Sequence, residues 1–123
     1  MLEAIKARAE YLAAAEYGHE FIGTEHLLLA IIDDEKVVSH LQSQNLSHSK
    51  IKEHLERLLQ RCTPATFPSK LPISQYAKEA IKNTLKYNSE IKVEPLDMLK
   101  SLTQNENGIA SHVLGAAGYN AEK

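Results

Sequence analysis

The chain has 123 residues, a formal net charge of −2, 43% hydrophobic and 24% charged residues and a pI near 6.3. These values suit a single domain able to bury roughly two-thirds of its extended-chain surface, and they exclude a nucleic-acid binder, which presents a basic face and a high pI. Cys62 is the only cysteine, which excludes an internal disulfide and a thiolate zinc site.

Residues 2–17 read as a first helix, because Leu2, Ile5, Ala9, Leu12 and Ala13 recur at helical spacing and Gly18 then stops it. The stretch from Gly18 to Ile32 is the most informative: a short turn, a helix cap and an apolar helix run together. Thr24 is expected to cap the second helix, with Glu25 in its first turn complementing the helix dipole. The run Leu27 to Ile32 is apolar on every side, as in the central helix of a core, and far too short to span a bilayer. Asp33-Asp34 ends that helix and starts a third, from about Glu35 to Gln44. Ser47 caps a fourth, whose Ile51, Leu55, Leu58 and Leu59 form a one-sided stripe.

Cys62 to Ile73 holds Pro64, Pro68 and Pro72 and cannot continue a helix, so it reads as a linker, whose Phe67 and Leu71 could cover a groove between the two halves. Ser74 caps a fifth helix with Ala77, Ala80, Ile81, Thr84 and Leu85 facing inward. Glu94-Pro95 opens a sixth, since proline is favoured at the first helical position and Asp97 suits the first turn. Residues 109–117 form a seventh helix ended by Gly118. No segment alternates with a two-residue period, so an all-α fold without a sheet is expected.

The two halves match each other. An offset of 70 pairs Ala7 with Ala77, Tyr17 with Tyr87, Phe21 with Ile91, Leu28 with Met98, Leu29 with Leu99 and Ile32 with Leu102, and it grows to 73 where Leu41 meets Leu114. A duplicated helical unit is therefore expected, with repeat one at 1–61, the linker at 62–73 and repeat two at 74–123.

Catalytic signatures are missing. There is no Gly-x-x-x-x-Gly-Lys-Ser/Thr loop for ATP phosphates, no Gly-x-Gly-x-x-Gly and no Gly-x-Ser-x-Gly. His19-Glu20 with His26 has the wrong spacing for a zincin, and the better reading places His19 in a loop and His26 in the first turn of helix two, satisfied by hydrogen bonds. His40, His48, His54 and His112 read as surface or boundary residues. No cofactor or metal is expected. Glu25 is the polar residue that stands out: a carboxylate at a helix start either complements the dipole or accepts paired hydrogen bonds from a guanidinium.

The segment His19 to Leu29, Gly-His-x-x-Ile-Gly-Thr-Glu-His-Leu-Leu-Leu with its preceding glycine, resembles the first repeat of the N-terminal domain of the Hsp100 Clp ATPases of the ClpA/ClpC type. Ala30-Ile31-Ile32 and the helix Ser47 to Leu59 continue the likeness, which is degenerate in the second half. The resemblance implies two tandem pseudo-symmetric four-helix repeats, the last helix being truncated or absent where the chain stops at Lys123. It also implies a non-catalytic domain that docks adaptors, ClpS-like or MecA-like, and unfolded or tagged substrates for an ATP-dependent Clp unfoldase–protease system, with the Clp ATPase rings in cis if the chain continues. In that family the Glu of each Gly-Thr-Glu-His motif binds phosphorylated arginine. Thr24 and Glu25 match the first motif; in the second, Pro95 falls at the Glu position and Glu94 at the Thr position, so Glu94 is the nearest candidate.

The leading expectation is thus a cytoplasmic protein-interaction domain that is not an enzyme and has no nucleic-acid or membrane partner. One alternative is a stand-alone protein of the same type that binds phosphoarginine-tagged or unfolded proteins. Another is a small hydrolase using His19, Glu20, Glu25 and His26. A helix-turn-helix DNA binder is disfavoured, because helix two has no Lys or Arg.

Overall fold

In the computed structural model, which describes residues 2–13, 21–59, 73–86, 89, 92–104 and 108–119, the apolar periodicity resolves into seven helices among those residues: α1 (Leu2–Tyr11), α2 (Thr24–Ile31), α3 (Glu35–Ser43), α4 (His48–Leu58), α5 (Gln75–Thr84), α6 (Pro95–Gln104) and α7 (Ile109–Ala117). The described residues contain no strand; their extended contact is a parallel bridge of Ile22 with Ile73, in which the Ser74 N–H donates to the Ile22 carbonyl at 2.9 Å. The expected stop at Gly18 and most of the linker, with Phe67 and Leu71, lie outside the described residues.

The start signals act through specific oxygens. Asp34 caps α3, its Oδ2 accepting from the Lys36 N–H at 3.0 Å and the Val37 N–H at 3.4 Å. Ser47 Oγ accepts from the Lys50 N–H and Ser74 Oγ from the Ala77 N–H, at 3.5 and 3.2 Å. Each bond satisfies an amide that has no partner inside its own helix. Pro95 stands at the first position of α6, where a missing N–H matters least.

Burial follows the stripes with two corrections, Leu58, which is 46% exposed at the end of α4, and Leu85. Leu27, Leu28, Leu29, Ile31 and Ile32 are all buried, so α2 is the central helix. Each such side chain contributes about 1.5–3 kcal/mol relative to an exposed one. On α5, Ala77, Ala80 and Thr84 are buried and Ile81 is half-buried, but Leu85 is 44% exposed. It is the C-cap residue, where the chain leaves the helix and its inward face no longer carries on.

The fold is pseudo-symmetric. α1 packs on α2 as α5 packs on α6, α2 meets α6 at the centre, and α2 touches α7 as α6 touches α3. Asn45 (φ 61°) and Gly118 (φ 90°) occupy the left-handed region at an offset of 73. In both, the next amide bonds back five residues: Leu46 N–H to the Leu41 carbonyl at 2.9 Å and Tyr119 N–H to Leu114 at 3.0 Å. This is the same C-terminal cap built twice. The helix starts repeat at 71. The amides of His26 and Leu27 bond to the Gly23 carbonyl as those of Asp97 and Met98 bond to that of Glu94. The second cap therefore sits one residue later than the apolar matching at 70 implies.

Candidate functional site

The start of α2 is built around a missing side chain. Gly23 is the N-cap and has an extended backbone that any residue could adopt. What requires glycine is space: a Cβ there would lie 1.5 Å from Glu25 Oε1 and 2.6 Å from its carboxyl carbon. The Glu25 carboxylate is folded back over the first turn of its own helix, where the amide dipoles favour an anion, and the residue is only 4% exposed. His26 is fully buried, and its Nδ1 accepts the Gly23 N–H at 2.8 Å. A ring nitrogen that accepts an amide proton carries none of its own, so the 3.5 Å approach of Glu25 Oε1 to Nδ1 is a packing contact rather than an ion pair. The Phe21 ring stands edge-on to this imidazole, with centroids 6.1 Å apart. His26 is thus hydrogen-bonded within the first turn, as its position in the sequence suggests.

Thr24 differs from expectation. Gly23 holds the cap position and Thr24 is the first helical residue. Its Oγ1 serves another helix, accepting the buried N–H of Ala110 at 3.3 Å. The reason lies in α7, whose own N-cap is Gly108 and has no side chain to offer. A Cβ on Gly108 would meet Thr24 Oγ1 at 2.9 Å, so the glycine also makes room for the hydroxyl that replaces its cap.

Glu94 lies at the other end. It is the residue preceding α6, its N–H donates to Asp97 Oδ2 at 3.0 Å, and its carboxylate pairs with Lys36 Nζ at 3.1 Å in an exposed ion pair. Because Glu94 meets the first turn of α3, which follows the end of α2, while Thr24 meets the first turn of α7, which follows the end of α6, α2 and α6 run antiparallel. Thr24 and Glu25 are therefore held together, and Glu94 lies about a helix length away, on the order of 12 Å. By the cap register Glu94 corresponds to Gly23, and Leu96 stands where Glu25 does.

His19 and Glu20 lie outside the described residues. Among the described residues no group of three or more His, Cys, Asp or Glu side chains could hold a metal ion, and no helix is long and apolar enough to cross a membrane.

A further polar pair was not singled out from sequence. His40 Nε2 and Tyr119 Oη are 2.9 Å apart, with the rings edge-to-face at 5.5 Å. Burial, with a smaller contribution from the Lys100 ammonium, lowers the His40 pKa below its ordinary value, and burial pushes the Tyr119 hydroxyl up to about 12. The only hint in the sequence is Gly118, which turns the chain so that the next side chain folds back on the bundle.

Residues 3–95 match the family model of the Clp repeat (R) N-terminal domain. The chain belongs to that family. This Clp repeat domain matches no curated protein sequence. Its fold is similar to that of a chain from a malarial protein secretion system, at 20% identity and a TM-score of 0.78, covering 98% of this chain and 84% of that one. It is also similar to the Hsp104 N-terminal domain from Candida albicans, at 16% identity and a TM-score of 0.75, covering 98% and 81%. The N-terminal domain of the caseinolytic protease associated chaperone ClpD from Arabidopsis thaliana matches at 18% identity and a TM-score of 0.68, covering 98% and 84%.

Proposed function

We propose that this Clp repeat domain is a non-catalytic docking module that captures adaptors and protein substrates for an ATP-dependent Clp unfoldase–protease system. The observation that carries the reading is the family match over residues 3–95. Two apolar side chains beside the α2 start support it. Phe21 is 46% exposed next to the Ile22 bridge, and Ile109 is 40% exposed next to the amide that Thr24 caps. Half-exposed apolar groups on a rigid scaffold are what a partner can desolvate.

In the finer form of the proposal, the two repeats are 1–61 and 74–123, joined by the linker 62–73. The domain works in the cytoplasm as an attachment to a hexameric ATPase ring and takes a ClpS-like or MecA-like adaptor. Thr24 and Glu25 are the candidate contacts for phosphorylated arginine, and Glu94 is a weaker second. To meet a guanidinium from solvent, the Glu25 carboxylate must swing away from its place over Gly23. The hydroxyl of Thr24 stays committed to α7.

The test is a binding titration of the folded domain with a ClpS-like adaptor, a MecA-like adaptor, an unfolded substrate and free phosphoarginine. Saturable binding to an adaptor or to the unfolded substrate is expected. No saturable binding to any of them overturns the docking reading. Loss of phosphoarginine binding in Glu25→Ala, with adaptor binding intact, would assign Glu25 its ligand, and equal affinity would leave it as part of the scaffold.

A further inference from the structure

α4 has a groove on each of two sides, and their charges differ. One groove, of about 450 Å³, is lined by Asp33, Lys52, Glu53 and Arg57 among others. Its cations are already neutralised: Lys52 Nζ lies 2.9 Å from Asp33 Oδ2, and Arg57 pairs with Glu53. The other groove, of about 400 Å³, runs between α4, the α3–α4 turn and the last turn of α7. Leu46, Ile51 and Ala117 give it an apolar floor, Lys50 gives it a cationic rim with the His54 imidazole beside it, and no carboxylate among the described residues lines it. Lys50 makes no ion pair among the described residues. The His112 ring stands edge-to-face with that of His54, with centroids 6.4 Å apart.

We propose that this second groove seats an acidic, apolar-anchored segment of a partner polypeptide. The proposal rests on reading the domain as a docking module and names one place and one chemistry for it. Its volume falls in the range of small-ligand sites, with room for a Leu or Phe anchor. The anchor meets Leu46 and Ile51, and flanking Asp or Glu side chains meet Lys50 and His54. On a chain of net charge −2, the Lys50 ammonium, which has no ion pair among the described residues, selects an acidic partner against the chain's own overall repulsion. The floor is pre-formed: left-handed Asn45 closes α3, and the Leu46 amide bonded to Leu41 fixes the side chain that follows. Little ordering therefore remains to be done on binding.

The probe is a fluorescein-labelled peptide with a Leu-Phe pair flanked by Asp and Glu, beside a twin in which Lys replaces every acid. Anisotropy titrations use wild type, Lys50→Glu and Ala116→Glu, the last placing an acid on the exposed α7 wall of the same groove. Wild type should prefer the acidic peptide, and each variant should weaken it about fivefold or more, with Lys50→Glu binding the Lys twin more tightly than wild type does. Higher salt should weaken the acidic peptide in wild type. Amide shifts in wild type should cluster on Leu46, Ile51, His54 and Ala117. Equal affinity for both peptides, unchanged binding in both variants, or shifts elsewhere would overturn the groove assignment. If adaptors or unfolded substrate still bind in the titration above, that failure belongs to the groove and leaves the docking reading standing.

Discussion

Replacing Thr24 with valine removes one oxygen and keeps the branched shape. The oxygen lost is the acceptor for the Ala110 amide, 3.3 Å away, at the start of a helix whose own cap residue is glycine. Thr24 is 3% exposed and Ala110 is 0% exposed, so water cannot take over the bond without local opening. An orphaned buried amide and a lost cap oxygen each lie in the range of about 1–2 kcal/mol, and here they are the same event, counted once. For a domain of this size that corresponds to a melting temperature lower by about 4–8 °C. Valine and threonine have nearly the same helix propensity, so α2 itself should be indifferent. Calorimetry on wild type, Thr24→Val and Thr24→Ser separates the hydroxyl from the shape, because serine keeps the acceptor. Hydrogen exchange at Ala110 should speed up by about five- to thirtyfold in the valine variant alone. A Thr24→Val protein that melts within a degree of wild type, with unchanged exchange at Ala110, would refute the assignment of this hydroxyl to α7.

Gly23→Ala should destabilise by about 1–3 kcal/mol by displacing the Glu25 carboxylate, and Gly23→Ala/Glu25→Ala should recover part of that loss in denaturant melts. Lys36→Ala should change stability by less than about 1 kcal/mol, because its pair with Glu94 is exposed; a larger loss in urea would show a coupling that the geometry lacks. For His40 the folded pKa lies below the unfolded value of 6.5, so the unfolded chain takes up protons first. Its contribution to stability is present above about pH 6.5 and is lost as pH falls towards the folded pKa; His40→Gln should flatten that acid slope in urea midpoints. For Tyr119 the folded pKa is raised from 10.0 to about 12, so stability should fall between those values as the unfolded chain ionises first, and Tyr119→Phe should remove that slope.

The helices were legible because their signals are local. Ser47, Ser74, Pro95 and Gly118 act on amides or carbonyls within a few residues, and the apolar run from Leu27 to Ile32 has no polar face to present to water. The site was less legible because its bonds are long-range. The spacing that makes Thr24 look like a cap for α2 says nothing of Gly108, which lies 84 positions further on (108 minus 24) and needs its hydroxyl. Glu25 reads as a first-turn acid and is one, but its burial depends on the bare Cα of Gly23 beneath it. The register of the second repeat at the α6 start differs by one residue from the apolar match, since apolar matching counts side chains while the cap geometry follows the backbone. Leu85 matched the stripe and still faces solvent, because periodicity carries no information about where a helix ends.

The claim that this bundle exists to hold other polypeptides is tested most directly by amide-detected NMR of the isotopically labelled domain, titrated in turn with adaptor and with unfolded substrate. Saturable shifts on one continuous patch of the helical surface are expected, with the buried amides of α2 unmoved. A spectrum unchanged by every partner at high concentration would contradict it.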